Sequence, residues 1–95
     1  MAAYAVVDVE IRDIEAYLAY QKAVSMLLEA AGARYLARGG EYRVFAGNWE
    51  HRRMIIVEFP SLSAMEDFFG SEGYRALEPQ RLSCSRARIV GVEGL

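Results

Sequence analysis

Two amphipathic segments, each set between β-rich runs, constrain what this chain can fold into more than any other feature. The first run, "AYAVVDVEI" at residues 3–11, is short and rich in β-branched residues, and reads as a strand. Asp13 is placed to cap a helix behind it, because its side-chain oxygen can accept from the open N–H groups of a first turn. From Ile14 to Ala31, the residues Ile14, Tyr17, Tyr20, Val24, Leu27, Leu28 and Ala31 share one helical face, while Glu15, Lys22 and Glu29 lie opposite. That is the pattern of a helix lying on a core. Gly32 then acts as the stop, since glycine enters the left-handed region without steric cost.

The second half repeats the theme. "ARYLAR" reads as a strand, "YRVFAGN" as its continuation or hairpin partner, and "RRMIIVEF" as the most hydrophobic and therefore central strand, stopped by Pro60. "SLSAMEDFF" opens a second helix. Ser63 and Glu66 fit a capping box, in which each side chain satisfies the other residue's backbone N–H, and Ser61 is the competing cap. Gly70 ends this helix, and Ser71 caps a short turn from Tyr74 to Glu78 that Pro79 prevents from continuing smoothly. "ARIVGVE" closes as a strand. The glycine-rich middle, "GARYLARGGEYRVFAGNW", lacks the G-x-x-x-x-G-K-[ST] pattern, and its Gly39-Gly40 pair joins β segments instead of opening a helix. It reads as a bend, bulge or turn rather than a phosphate cradle.

Strand, helix, strands, helix, strand is the βαββαβ order of a ferredoxin-like α+β domain, here a single domain over residues 1–95. Both helices then pack on one face of an antiparallel sheet. Period-two alternation puts Val7, Val9, Ile11, Ile55, Val57 and Phe59 toward the helices, and Tyr4, Val6, Asp8, Glu10, Met54, Ile56 and Glu58 on the uncovered face. With 54% of its residues hydrophobic, against about 45–50% in an average domain, a chain this short has more apolar surface than its own interior can hide. A homodimer through the open sheet face is the expected solution.

Other classes are argued against by composition. The net charge of −2, with 11 basic and 13 acidic residues, gives no basic stripe and no support for nucleic-acid binding. No apolar run approaches the roughly 20 residues that span a bilayer, and the opening residues have no basic leader. The single cysteine, Cys84, rules out an intrachain disulfide and suits a reducing, cytoplasmic setting.

Several separated motifs carry a family resemblance. "GARYLARGG", "VEFPS", "GSEGYRALEPQR", the closing "VGVEG" and the opening "YAVVDVEIRDIEAYLAY", with Asp13, Tyr17 and Tyr20 in characteristic spacing, resemble the domain of unknown function 1330 family over nearly the whole chain. One departure is Ala33, where the family often has a second glycine after Gly32. The resemblance implies membership of the dimeric α+β barrel superfamily, in which two ferredoxin-like protomers pack sheet against sheet. Other branches of it include antibiotic-biosynthesis monooxygenases, haem-degrading enzymes, muconolactone isomerase-like proteins and stress-responsive barrel proteins. The family has no agreed reaction, so the resemblance supplies no catalytic set.

The residues themselves supply candidates. Asp8 and Glu58, on adjacent strands and pointing into the barrel, could share a proton and act as a general acid or base. Against this stands pairing with Arg34, Arg38 or Arg88. Tyr17, Tyr20, Tyr74 and Trp49 are large amphipathic groups. They either fill core and interface or, with Arg38 or Arg81, line a pocket between helices and sheet for a small aromatic or anionic ligand. His51 lacks partners for a metal site and reads as a solvated loop residue. Cys84 reads as a structural thiol. No metal, flavin or nicotinamide pattern is present, and no cofactor is expected. Three functions remain: binding of a small apolar or aromatic metabolite in the barrel cavity, a cofactor-independent monooxygenase or isomerase using Asp8 or Glu58, and a structural or stress-associated dimer without ligand.

Overall fold

The computed structural model describes residues 1–50 and 53–95. The chain runs β1 (Ala3–Ile11), α1 (Ile14–Ala30), β2 (Arg34–Arg38), β3 (Arg53–Phe59), α2 (Leu62–Phe69), α3 (Glu72–Cys84) and β4 (Ser85–Glu93). The four strands form one antiparallel sheet in the order β2-β3-β1-β4, the ferredoxin-like α+β arrangement. β3 and β1 are the central strands, as the hydrophobicity of "RMIIVEF" requires.

α1 begins where its cap predicts, with the Asp13 carboxylate accepting from the Ala16 N–H at 3.2 Å. It ends in a Schellman motif. The N–H of Ala33 donates to the Leu28 carbonyl at 2.9 Å and that of Gly32 to Glu29 at 3.0 Å, with Gly32 at φ 77. Tyr17, Tyr20, Val24 and Leu28 are buried. Ile14, placed on the apolar face by periodicity, is exposed instead, because the first turn stands at the end of the helix beyond the edge of the core.

Three further expectations need correction. "YRVFAGN" is not a strand: β2 ends at Arg38, and residues 40–50 carry no regular structure. A register shift between Tyr35 and Ala37 bulges β2, and Gly39, at φ 70, turns the chain out of the sheet, so no second strand can pair there. The cap of α2 is Ser61, whose Oγ accepts from the Ala64 N–H at 3.0 Å; Ser63 lies inside the helix, where it has no cap to make. Finally, α3 runs from Glu72 to Cys84 straight through Pro79. Tyr74 on one side of the proline and Cys84 on the other are both buried. Packing on each side thus holds the helix across the missing N–H, a loss that costs about 3 kcal/mol in an isolated helix interior. The second helical segment is therefore two helices, capped separately, with Ser71 Oγ accepting from the Tyr74 N–H at 3.2 Å.

The alternation along the strands is as expected. Ala3, Ala5, Val9, Ile55, Val57 and Phe59 join the core under the helices. On the opposite face no helix lies. There Val90 and Val92 are 63% and 56% exposed, beside Val6 and Ile56 of the central strands. Phe45 of the 40–50 segment is 95% exposed.

Candidate functional site

The gap between α1 and the sheet has a cause in the sequence. α1 presents two large rings, Tyr17 and Tyr20, packed at 5.8 Å between centroids. Below them the strands offer short side chains, Ala5 on β1 and Ala87 on β4, beside Val7 and Val9. Rings that wide cannot descend onto residues that short without leaving space. The result is a cavity of about 60 Å³, room for a few water-sized groups. Its far wall is aromatic. Phe59, Phe68, Phe69 and Tyr74 pack in a chain of tilted and edge-on contacts 5.0 to 5.9 Å apart.

Polar groups are few here and stand mostly on the helices. The Tyr20 hydroxyl interacts electrostatically with that of Tyr74. Burial, reinforced by Tyr74, raises the Tyr20 pKa well above the ordinary phenol value, against the opposing pull of the Arg81 guanidinium. Burial likewise raises Tyr17, opposed by the positive charge of Arg53. Both phenols are therefore neutral at physiological pH. Gln21 Oε1 and Arg81 Nε, both on lining residues, are buried and have no hydrogen-bonding partner among the described residues. Tyr35, also lining, shares a 2.8 Å hydrogen bond with Ser25 Oγ.

Of the residues singled out in the sequence, Tyr17, Tyr20, Tyr74 and Arg81 come together around this cavity. Arg38 and Trp49 do not line it. The register of β2 sets Arg38 opposite Ile55, and its guanidinium stacks on the Tyr35 ring at 4.6 Å, covering a wall of the cavity from outside. Trp49 stands across the sheet, with Val6, Asp8, Met54, Arg88 and Val90 around a shallow depression in the open face. Its loop leaves on that side, which no periodicity in the loop could reveal.

Asp8 and Glu58 do share the open face, but not a proton. Asp8 is opposite Met54 and Glu58 opposite Tyr4, four positions apart along β1, or about 13 Å at the rise of a strand. Each has an arginine instead. Arg88 Nε donates to Asp8 Oδ2 at 3.2 Å and its Nη2 makes a second, shorter bond to the same oxygen. Arg34 Nε donates to Glu58 Oε1 at 2.8 Å. Sequence alternation found the face of each carboxylate; it could not find the register that separates them. Cys84 is buried, its thiol donating weakly to the Arg81 carbonyl at 3.7 Å, a structural role. His51 lies outside the described residues.

Two participants were missed in the sequence. Gln21 follows Tyr20 on a helix where glutamine carries no signal. Arg53 sits at the start of the central strand, where its odd position faces it toward the helices; the clue was Gly39, since a Cβ there would fall 2.3 Å from the Arg53 guanidinium. No group of metal-ligating side chains occurs among the described residues, and no helix among them is long and apolar enough to cross a membrane.

Comparison with known proteins adds the following. A family model described as domain of unknown function DUF1330 matches residues 2–95. No curated protein matches the chain. Among solved structures, a protein of unknown function from Rhodopseudomonas palustris superposes with a TM-score of 0.80 at 21% identity, over 99% of this chain and 82% of its own. A dimeric ferredoxin-like protein of unknown function from Thermobifida fusca does so with a TM-score of 0.64 at 15% identity, over 99% and 92%. A protein of unknown function from Bacteroides thetaiotaomicron, described as a possible oxidoreductase, gives 0.65 at 10% identity, over 98% and 97%. At these identities the likeness is one of fold.

Proposed function

The chain belongs to the DUF1330 family, and from that premise we propose that it is a homodimeric protein that binds a small apolar or aromatic metabolite in the cavity between α1 and the sheet. The observation that carries this reading is the cavity itself. Its walls are apolar and aromatic, and the buried polar atoms of Gln21 and Arg81 within it have no partner among the described residues. Most buried polar groups are satisfied, so an orphaned pair at one cavity implies something that completes them.

The homodimer rests on the uncovered sheet face. Its charges are already paired, Asp8 with Arg88 and Glu58 with Arg34, which leaves an apolar surface of Val6, Ile56, Val90 and Val92, with Phe45 and Trp49 supplied by the neighbouring loop. A large exposed patch of this kind marks an association surface, and a self-complementary sheet-on-sheet contact closes it with the fewest parts. The ferredoxin-like structure from Thermobifida fusca, described as dimeric, supports a dimer. The buried free thiol of Cys84 suits a reducing compartment, in keeping with a cytoplasmic protein.

The site test is a melting-temperature screen of the purified protein against small apolar and aromatic compounds, repeated on Val24→Trp, which fills the cavity from α1. A binding protein shows ligand-dependent stabilisation that this variant loses. Identical stabilisation of both proteins would refute the site. Asp8→Asn and Glu58→Gln are expected to leave that stabilisation unchanged, because both carboxylates lie on the other face of the sheet.

A further inference from the structure

The cavity contains one kind of charge. Arg81 reaches it from α3, its side chain only 14% exposed. Among the described lining residues no carboxylate stands against it. The nearest acid is Glu78, one turn back on the same helix, with Oε2 4.0 Å from Arg81 Nη2, beyond hydrogen-bonding distance. The guanidinium is a positive charge, and here it faces an apolar space with its Nε–H unpaired among the described residues. The two hydroxyls near it, of Tyr20 and Tyr74, are neutral and carry no counter-charge. On α1, beside Tyr20, Gln21 Oε1 is an acceptor that is also unused.

We propose that the ligand is a small carboxylic acid with an apolar or aromatic body, its carboxylate held by Arg81 and a hydroxyl or N–H donor on it taken by Gln21. This rests on the cavity being the binding site and names the class it selects. A carboxylate matches the planar fork of the guanidinium, with one oxygen for Nε–H and one for Nη–H, and supplies the counter-charge that the walls lack. The ring or chain lies against Phe59, Phe68 and Tyr17. A neutral isostere can accept one hydrogen bond from Arg81 but brings no counter-charge, so the site discriminates by charge.

The test compares benzoate with benzamide, which matches it in size and ring but not in charge, by calorimetric titration of the full chain. Benzoate is expected to bind at least about tenfold more tightly. Arg81→Met, which keeps the apolar stem, should weaken benzoate by about tenfold or more and benzamide by less than about twofold. The unliganded variant should melt no lower than the wild type, since replacing a buried charge held by a long ion pair, here 4.0 Å to Glu78, with an apolar side chain is often neutral or stabilising. A merely structural arginine would lower it. If Arg81→Met aggregates, Arg81→Lys decides, because it keeps the charge, loses the fork and should still weaken benzoate several-fold. Equal affinity for the two probes, or undiminished benzoate binding in the arginine variants, overturns the proposal. If both probes bind equally and Val24→Trp abolishes both, the cavity reading stands without the carboxylate. If neither binds, the proposal fails, and the cavity reading fails with it only where phenol also leaves the wild-type melting temperature unmoved.

Discussion

Tyr20→Phe isolates the electrostatics of the cavity wall, because it removes one oxygen from a side chain that is only 6% exposed and leaves the ring in place. Two effects of opposite sign follow. Below pH 10 the phenol is neutral in both the folded and unfolded chain, and the substitution removes the polar interaction of its hydroxyl with Tyr74. A polar interaction of this kind is worth about 1 kcal/mol, so the variant is the less stable protein. Above pH 10 the unfolded chain of the wild type ionises Tyr20 at its ordinary value, while the fold, by burial, keeps it protonated. The folded pKa is raised. The stability it carries is therefore fully present below the unfolded pKa and falls as pH rises, by about 1.4 kcal/mol per unit once the unfolded phenol is ionised. At pH 11 the wild type has lost about 1.4 kcal/mol that the phenylalanine variant cannot lose.

The two stability curves should thus cross near pH 11, with the variant the more stable above it. Urea unfolding at half-unit steps from pH 8 to 11.5 measures both, and subtraction cancels the other tyrosines, which are common to the two chains. Absorbance of phenolate should show one fewer late-ionising group in the variant. Parallel curves across the whole range would refute the argument, since they would mean that Tyr20 ionises as readily in the fold as out of it.

Three smaller perturbations test the scaffold and the assembly. Ser61→Ala should cost about 1 kcal/mol in urea unfolding through loss of the α2 cap, while Ser63→Ala, inside the helix and exposed, should stay within about 0.5 kcal/mol; a larger cost at Ser63 would restore the capping box. Gly32→Ala should cost about 1–2 kcal/mol, the penalty of a Cβ in the left-handed conformation, against no change if the turn can be rebuilt. Val90→Glu, on the open face, should shift the protein from dimer to monomer in sedimentation at micromolar concentration, and a wild type that sediments as a monomer would remove the case for the interface.

What could be read in the sequence was what short-range pattern determines. Asp13, Gly32, Gly70 and Ser71 mark their helix ends because each acts on backbone groups within a few residues of itself. The faces of β1 and β3 follow from a period of two, and with them the open apolar side. What could not be read depends on distance along the chain. Asp8 and Glu58 lie on the predicted face, yet their separation is set by the register of β1 on β3, and a shift of four residues would have made them neighbours without altering either strand's pattern. Trp49 and Arg38 failed for a related reason: one follows a loop whose course no periodicity fixes, the other a bulge that changes the alternation at Leu36. Pro79 shows the limit of local rules from the other side, since the packing of Tyr74 and Cys84 outweighs a propensity that would stop an isolated helix. The cavity combines both kinds of information. Its rings and its short strand residues are visible in "AYLAY" and "AYAVV", but that Tyr20, Ala5 and Ala87 line one space, with Arg81 entering from a third element, is a product of the α1, α3 and sheet packing alone. A binding site assembled in this way has no linear motif, and the chemistry it selects is read from the polar atoms it leaves unsatisfied.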